Sequence, residues 1–139
     1  MRAGVPERLL LINIGNSRCT VMSAVGSRYH PLAEAPSDAA DPERMLSLSH
    51  LPHFSGAVLC SVRPFDNPAW IRTIRAQLKL DPLIIRWDLP LGIPLRYSKP
   101  ETLGPDRICN ACAAVALFGR PVAAFDFGTA ITCDVVDRT

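Results

Sequence analysis

Asp106 and Arg107 stand side by side behind Gly104-Pro105, where an apolar-periodic stretch begins. A carboxylate there can serve as a general base, and the neighbouring guanidinium can clamp an anionic substrate. The same carboxylate also complements a helix dipole, a contribution of about 0.3–1 kcal/mol. Spacing alone leaves both roles open. Tyr97 lies in the loop just upstream and joins the cluster. Asn110, one helical turn on, either faces the same site or caps a loop.

Two glycine turns offer a different chemistry. Ile12-Asn13-Ile14-Gly15-Asn16-Ser17 and Phe125-Asp126-Phe127-Gly128-Thr129-Ala130 share one plan: an apolar strand, an acid or amide, a glycine turn and a hydroxyl. Backbone N–H groups at such turns form a concave nest for phosphate oxygens, and glycine lets the backbone approach closely. Ser17 and Thr129 can donate to a phosphate, while Asp126 or Asp134 can hold a cation or its waters. One glycine hairpin is commonplace; two in related frames form a pattern.

Two further candidates carry less. Cys109 and Cys112 read as a redox pair, as half of a zinc site, or as two small apolar residues on a helix face. With no second cysteine pair, packing is the expected role. His50 and His53 flank Pro52 in a loop with no third ligand near them in sequence, so no metal role is expected. The sequence contains no G-x-x-x-x-G-K-[ST] loop, no G-x-G-x-x-G turn and no G-x-S-x-G elbow.

The elements that must position these residues follow from periodicity. Residues 8–14 read as a buried strand, 18–25 as a second strand, and 28–34 as a third, joined by turns at Gly15-Asn16-Ser17 and Gly26-Ser27. Asp41-Pro42 opens a short helix to about Leu48, with Asp as N-cap and Pro at the first helical position. Residues 56–62 form a strand, and Asn67-Pro68 opens a helix carrying Trp70, Ile71, Ile74 and Leu78 at helical spacing. A strand at 83–87 leads into a long loop, 88–104, of the kind that carries function. Pro105 to Phe118 is a helix with Ile108, Ala111, Cys112, Val115 and Phe118 on its apolar face, ended by Gly119. Strands at 122–127 and 130–136 close the chain.

The expected fold class is therefore α/β. The order β-β-β-α-β-α-β-α predicts a ribonuclease-H-like domain with a mixed sheet over residues 1–120. Residues 121–139 then form the opening hairpin of a second, similar domain, because the last strand pair repeats the way the chain begins. A repeat of this size implies two such domains facing each other across a cleft.

Composition sets the outer bounds. A chain of 139 residues holds one complete domain, and 48% apolar with 20% charged residues suits a globular protein. Fifteen Lys and Arg against thirteen Asp and Glu leave a net charge of +2, too little to point to nucleic acid or anionic lipid. The apolar run Leu9–Ile12 is too short for a membrane span or a signal peptide. Five scattered cysteines, an odd number, predict free thiols in a reducing, cytoplasmic setting.

Together the motifs resemble the type III pantothenate kinases. The resemblance rests on Ile12 to Ser17, Cys60-Ser61-Val62-Arg63-Pro64, Tyr97 to Pro100, Leu103-Gly104-Pro105-Asp106-Arg107, Asn110, and Asp126 to Asp134. That family belongs to the superfamily of actin, the heat-shock chaperones and the sugar kinases. The resemblance implies ATP-dependent phosphorylation of pantothenate to phosphopantothenate, the first step of coenzyme A synthesis. It implies ATP with Mg²⁺ and a monovalent cation, potassium or ammonium. Asp106 would take the proton of the pantothenate hydroxyl. Tyr97, Gly104, Pro105 and Arg107 would hold the substrate, Arg107 meeting its carboxylate. Asn13, Gly15, Asn16, Ser17, Gly128 and Thr129 would grip ATP phosphates, and Asp126 would bind the monovalent cation.

Two departures qualify that expectation. The family carries Asp where this chain has Asn13, and that carboxylate helps hold the Mg²⁺ hydration shell. An amide offers an oxygen without charge, which predicts weaker metal–ATP use. Family members are also nearer twice this length. The remainder should supply adenine contacts and complete the pantothenate site across a dimer interface, from a homodimer or a complementary subunit. The hairpin at 122–136 should expose apolar faces and open edges. The chain alone is expected to be inactive. Two other readings stand beside this one: a non-catalytic or degenerate kinase-family subunit, and a different phosphotransferase of the same superfamily.

Overall fold

The computed structural model describes residues 7–47 and 53–138. The chain divides into two compact units, one up to Ile84 and one from Ile85 onward.

The first unit is built on a five-stranded mixed sheet. Strands β1 (Arg8–Ile14), β2 (Arg18–Val25) and β3 (Arg28–Pro36) run antiparallel in succession. Strand β4 (Gly56–Ser61) pairs parallel with β1, and β5 (Leu83–Ile84) pairs parallel with β4. The spatial order is β3-β2-β1-β4-β5. Helix α1 (Pro42–Leu46) precedes β4, and helix α2 (Asn67–Leu78) precedes β5.

Local chemistry explains the elements. The Asp41 carboxylate accepts the backbone N–H groups of Glu43 and Arg44, capping α1, while Pro42 occupies a position whose N–H has no helical partner. Helix α2 ends at Lys79, which sits in the left-handed region at φ 58° and donates its N–H to Arg75. Leu10, Ile12 and Ile14 alternate into a core with Val21, Leu59, Trp70 and Ile74. Leu9 and Leu11, on the other face, stay half-buried, so β1 is amphipathic where a wholly buried strand was expected.

The second unit holds a loop, helix α3 (Pro105–Phe118) and a hairpin of β6 (Val122–Phe127) and β7 (Ile131–Val136). Several bounds differ from expectation. Strand β5 covers two residues instead of five: after Ile84 the chain turns, and Arg86 bonds the Asp88 carboxylate. Strand β3 runs two residues longer, to Pro36, because its register with β2 continues to Arg18↔Pro36. Strand β4 stops at Ser61, and β7 starts at Ile131 because Ala130 belongs to the turn. Phe118 was expected on the apolar face of α3, yet it is 78% exposed; Ala114 takes the buried place. Leu48 and His50 lie outside the described residues.

Candidate active site

The polar cluster of the second unit is assembled by period. On β6 and β7 the residues Ala124, Asp126, Asp134 and Thr132 alternate onto one face, with Ala124 opposite Asp134 and Asp126 opposite Thr132. Helix α3 packs against both strands, and its residues three apart reach this face. Arg107 meets Asp134: Nε donates to Oδ1 at 2.9 Å and Nη2 lies 2.5 Å from the same oxygen. One turn later the Asn110 amide donates to Asp126 Oδ2 at 3.2 Å. Asn110 thus faces the hairpin and does not cap a loop.

Arg107 has further acceptors. Nη2 also donates to the Tyr97 hydroxyl at 3.2 Å and to the Cys133 carbonyl at 3.3 Å. The guanidinium carbon lies 5.9 Å from the centre of the Tyr97 ring, within cation–π range. These contacts hold the proton on Arg107: its pKa is raised first by the Asp134 hydrogen bond, and burial only partly opposes that. Asp134 is 6% exposed, and its second oxygen, Oδ2, is buried without a partner.

These groups line a cavity of about 370 Å³. Tyr97, Arg107 and Asp134 form its polar part, and Ile93, Leu103 and Ile108 supply apolar wall. The upstream loop is tied down at three points. Arg96 pairs with Asp137 at 3.0 Å, Arg120 donates to the Gly92 carbonyl at 2.7 Å, and the Cys112 thiol lies 3.8 Å from the Leu91 carbonyl. Burial raises the Cys112 pKa, with the neighbouring Cys109 adding to it, so the thiol is held in its inert form. That suits the packing role of the cysteine pair.

Asp106 sits in the first turn of α3, where its Oδ1 accepts the Arg107 backbone N–H at 2.9 Å. Gly104 lies directly beneath: a Cβ there would collide with that same oxygen. The Gly-Pro-Asp-Arg order therefore has a packing reason, since a side chain at 104 would displace the carboxylate. Gly128 donates its N–H to the Ala130 carbonyl at 3.2 Å, and the exposed Asp126 lies alongside.

The other glycine turn belongs to the first unit. Gly15 donates its N–H to the Arg18 carbonyl at 2.9 Å. A Cβ on Gly15 would stand 3.1 Å from that oxygen, which explains the glycine. The Ser37 hydroxyl donates to the Gly15 carbonyl at 2.7 Å, and its N–H to the Ser17 carbonyl at 3.1 Å. Ser37 is buried and fixes the turn; no motif pointed to it. Asn13, Asn16 and Ser17 are exposed at this end of the sheet.

Among the described residues no group of three or more His, Cys, Asp or Glu is placed to hold a metal ion, and no helix is long and apolar enough to cross a membrane. Asp126 offers a single exposed carboxylate. Its oxygens are the donor type that hard cations take, and Oδ2 already accepts from Asn110.

The model of the type III pantothenate kinase family matches residues 9–139. The chain belongs to that family. Among its relatives, a type III pantothenate kinase of Methylacidiphilum infernorum is 32% identical over 131 residues, 94% of this chain and 46% of the relative. Those of Thermomicrobium roseum and Moorella thermoacetica are 34% and 32% identical, covering 93% and 94% of this chain and 54% and 55% of their own lengths. The chain spans about half the length of the curated pantothenate kinases it matches. Its α/β architecture, with a mixed five-stranded sheet and few helices, agrees with a domain of this family.

Proposed function

We propose that the chain takes part in ATP-dependent phosphorylation of pantothenate, as a component that needs a second body to turn over. The observation that carries this is the anchored Arg107 beside Asp106 at the start of α3, with Tyr97 and a cavity of about 370 Å³ in front of it. Arg107 meets the pantothenate carboxylate, and Tyr97, Gly104 and Pro105 shape the site around it. Asp106 accepts the proton of the substrate hydroxyl as that oxygen forms its bond to the γ-phosphorus. The bond from that phosphorus to the β-γ bridging oxygen breaks, and ADP leaves. Asn13, Gly15, Asn16, Ser17, Gly128 and Thr129 face ATP phosphates. Both glycine N–H groups are committed within their turns, to the Arg18 and Ala130 carbonyls. Mg²⁺, and a monovalent cation (potassium or ammonium) at Asp126, would neutralise phosphate charge when bound.

The spatial order β3-β2-β1-β4-β5 supports a ribonuclease-H-like assignment of the first sheet. Residues 1–120 then belong to one such domain and 121–139 open a second; the partner is a second copy of the chain or a complementary subunit that carries the second domain. The setting is the cytoplasm, in keeping with five free cysteines among the described residues.

The test is phosphorylation of pantothenate by the chain alone and with a protein supplying the second half of its relatives. The expected result is turnover only in the assembly. Robust turnover by the chain alone would overturn the two-body reading. Absence of both turnover and pantothenate binding in the assembly would favour the second reading, a non-catalytic kinase-family subunit. Asn13 favours that alternative, because an amide brings no charge to metal–ATP. Asn13→Asp should strengthen Mg²⁺ dependence in the assembly; unchanged activity and Mg²⁺ response would remove Asn13 from the argument.

A further inference from the structure

We infer that Asp134 is the positioning residue for Arg107, and that it sets the guanidinium's aim at the anionic end of the substrate. This rests on the reading of Arg107 as the carboxylate clamp, and deepens it. Three observations carry it. Asp134 is buried, yet its carboxylate spends one oxygen on Arg107 through both Nε and Nη2 and leaves the other without a partner. A buried, half-satisfied carboxylate is a poor stability device, since an apolar residue in its place would avoid the desolvation cost. Tyr97 and the Cys133 carbonyl share Nη2, so three acceptors converge on one side of the fork. Nη1 makes no bond to a described residue, and Arg107 and Asp134 both line the cavity. The fork is therefore gripped along one edge with its remaining donors left for a ligand.

The electrostatic alternative predicts the opposite sign. Removing a negative charge beside Arg107 makes the site more cationic, and an anionic ligand should then bind more tightly. Positioning predicts weaker binding, because a guanidinium that is no longer oriented must be ordered by the ligand itself. Asp134→Asn separates the two, since it keeps the shape, removes the charge and replaces the charge-assisted grip on Arg107 with a weaker bond to a neutral amide.

The experiment has two arms, the first on the 139-residue chain and the second on the assembly with a protein supplying the second half of its relatives. In the first, nitrogen-15 NMR follows the Arg107 Nε–H. We expect slow exchange and restricted motion in the wild type, unlike the exposed Arg18, and loss of both in Asp134→Asn. In the second, calorimetry measures pantothenate affinity, expected to fall by about tenfold in Asp134→Asn, the usual worth of a hydrogen bond to a charged group. An unchanged or tighter affinity in the variant would overturn the inference. So would a wild-type Arg107 Nε–H that exchanges as fast as that of Arg18, and this comparison stands even where the variant does not fold. An assembly that binds no pantothenate, while the chain shows the protected Nε–H released in Asp134→Asn, sustains the positioning role and refutes the substrate reading.

Discussion

The two units of this chain use similar strands to different ends. Up to Ile84, alternating apolar residues close into a core: Leu10, Val21, Leu59 and Ile74 have no exposed surface, and Trp70 is 1% exposed. From Ile85 onward the apolar residues divide. Ile108, Ala111 and Ala114 are buried, whereas Phe125, Phe127, Ile131 and Val135 on the hairpin are 62–76% exposed. The register explains why these four share a face, since Phe127 pairs with Ile131 and Ala123 with Val135. The opposite face of the same hairpin carries Asp126 and Asp134, both engaged by α3. The lesson is that one unit spends its pattern on stability and the other on a polar site, leaving the opposite face of its hairpin apolar and exposed.

The largest effect should separate the units by their cores. Trp70→Ala should cost roughly 3–5 kcal/mol in urea unfolding, as expected for a buried aromatic. Phe127→Ala should stay within about 0.5 kcal/mol, because its ring is already in water. Equal losses would mean that the hairpin face is covered in solution, and the contrast would fail.

Next comes the polar cluster. Arg107→Ala strands the buried Asp134 and should cost roughly 2–3 kcal/mol, discounted because Arg107 is partly exposed. Hydrogen exchange should quicken in α3 and β7 and leave β1 and β4 unchanged. A uniform loss across both units would show that they unfold as one.

The third effect depends on pH. Burial pushes the Cys19 thiol from 9.0 up to about 11, with the Asp66 carboxylate adding to it. A raised folded-state value favours the folded protein while the thiol stays protonated. That stability is whole below pH 9 and is lost as pH rises towards 11, up to about 2 kcal/mol. Urea midpoints at pH 8 and pH 11 should differ less in Cys19→Ala than in the wild type. The exposed Cys133 should meanwhile react with a thiol reagent without unfolding. A wild type and variant with identical pH slopes would refute the assignment.

The smallest effect is local. Asp41→Ala removes the cap of α1 and should cost about 1 kcal/mol, read as a lowered melting temperature. Asp41→Asn should recover most of it. No loss at all would mean that α1 is held by its buried Met45 and Leu46 alone.

Much of the fold was legible because its signals are local. Asp41-Pro42 and Asn67-Pro68 mark helix starts, and Gly119, at φ 76°, marks the end of α3. The strands were less legible at their ends, because a strand lasts only as long as its neighbour. Residues 85–87 have strand character in sequence, but β4 offers β5 two partners only. Phe118 misled for a related reason: periodicity places it near the helix face, but it says nothing of where the covering strands stop.

The candidate site divides along the same line. Sequence by itself determined the family, the glycine turns and the Gly-Pro-Asp-Arg cluster, since these lie within a few residues of one another and local geometry dictates their types. It could not pair Arg107 with Asp134, 27 positions away, nor Ser37 with Gly15, 22 positions away. Those choices fell to tertiary structure. A buried polar atom takes whatever partner the packing of helix on hairpin, or strand on strand, brings within three ångströms, and no local preference encodes that meeting.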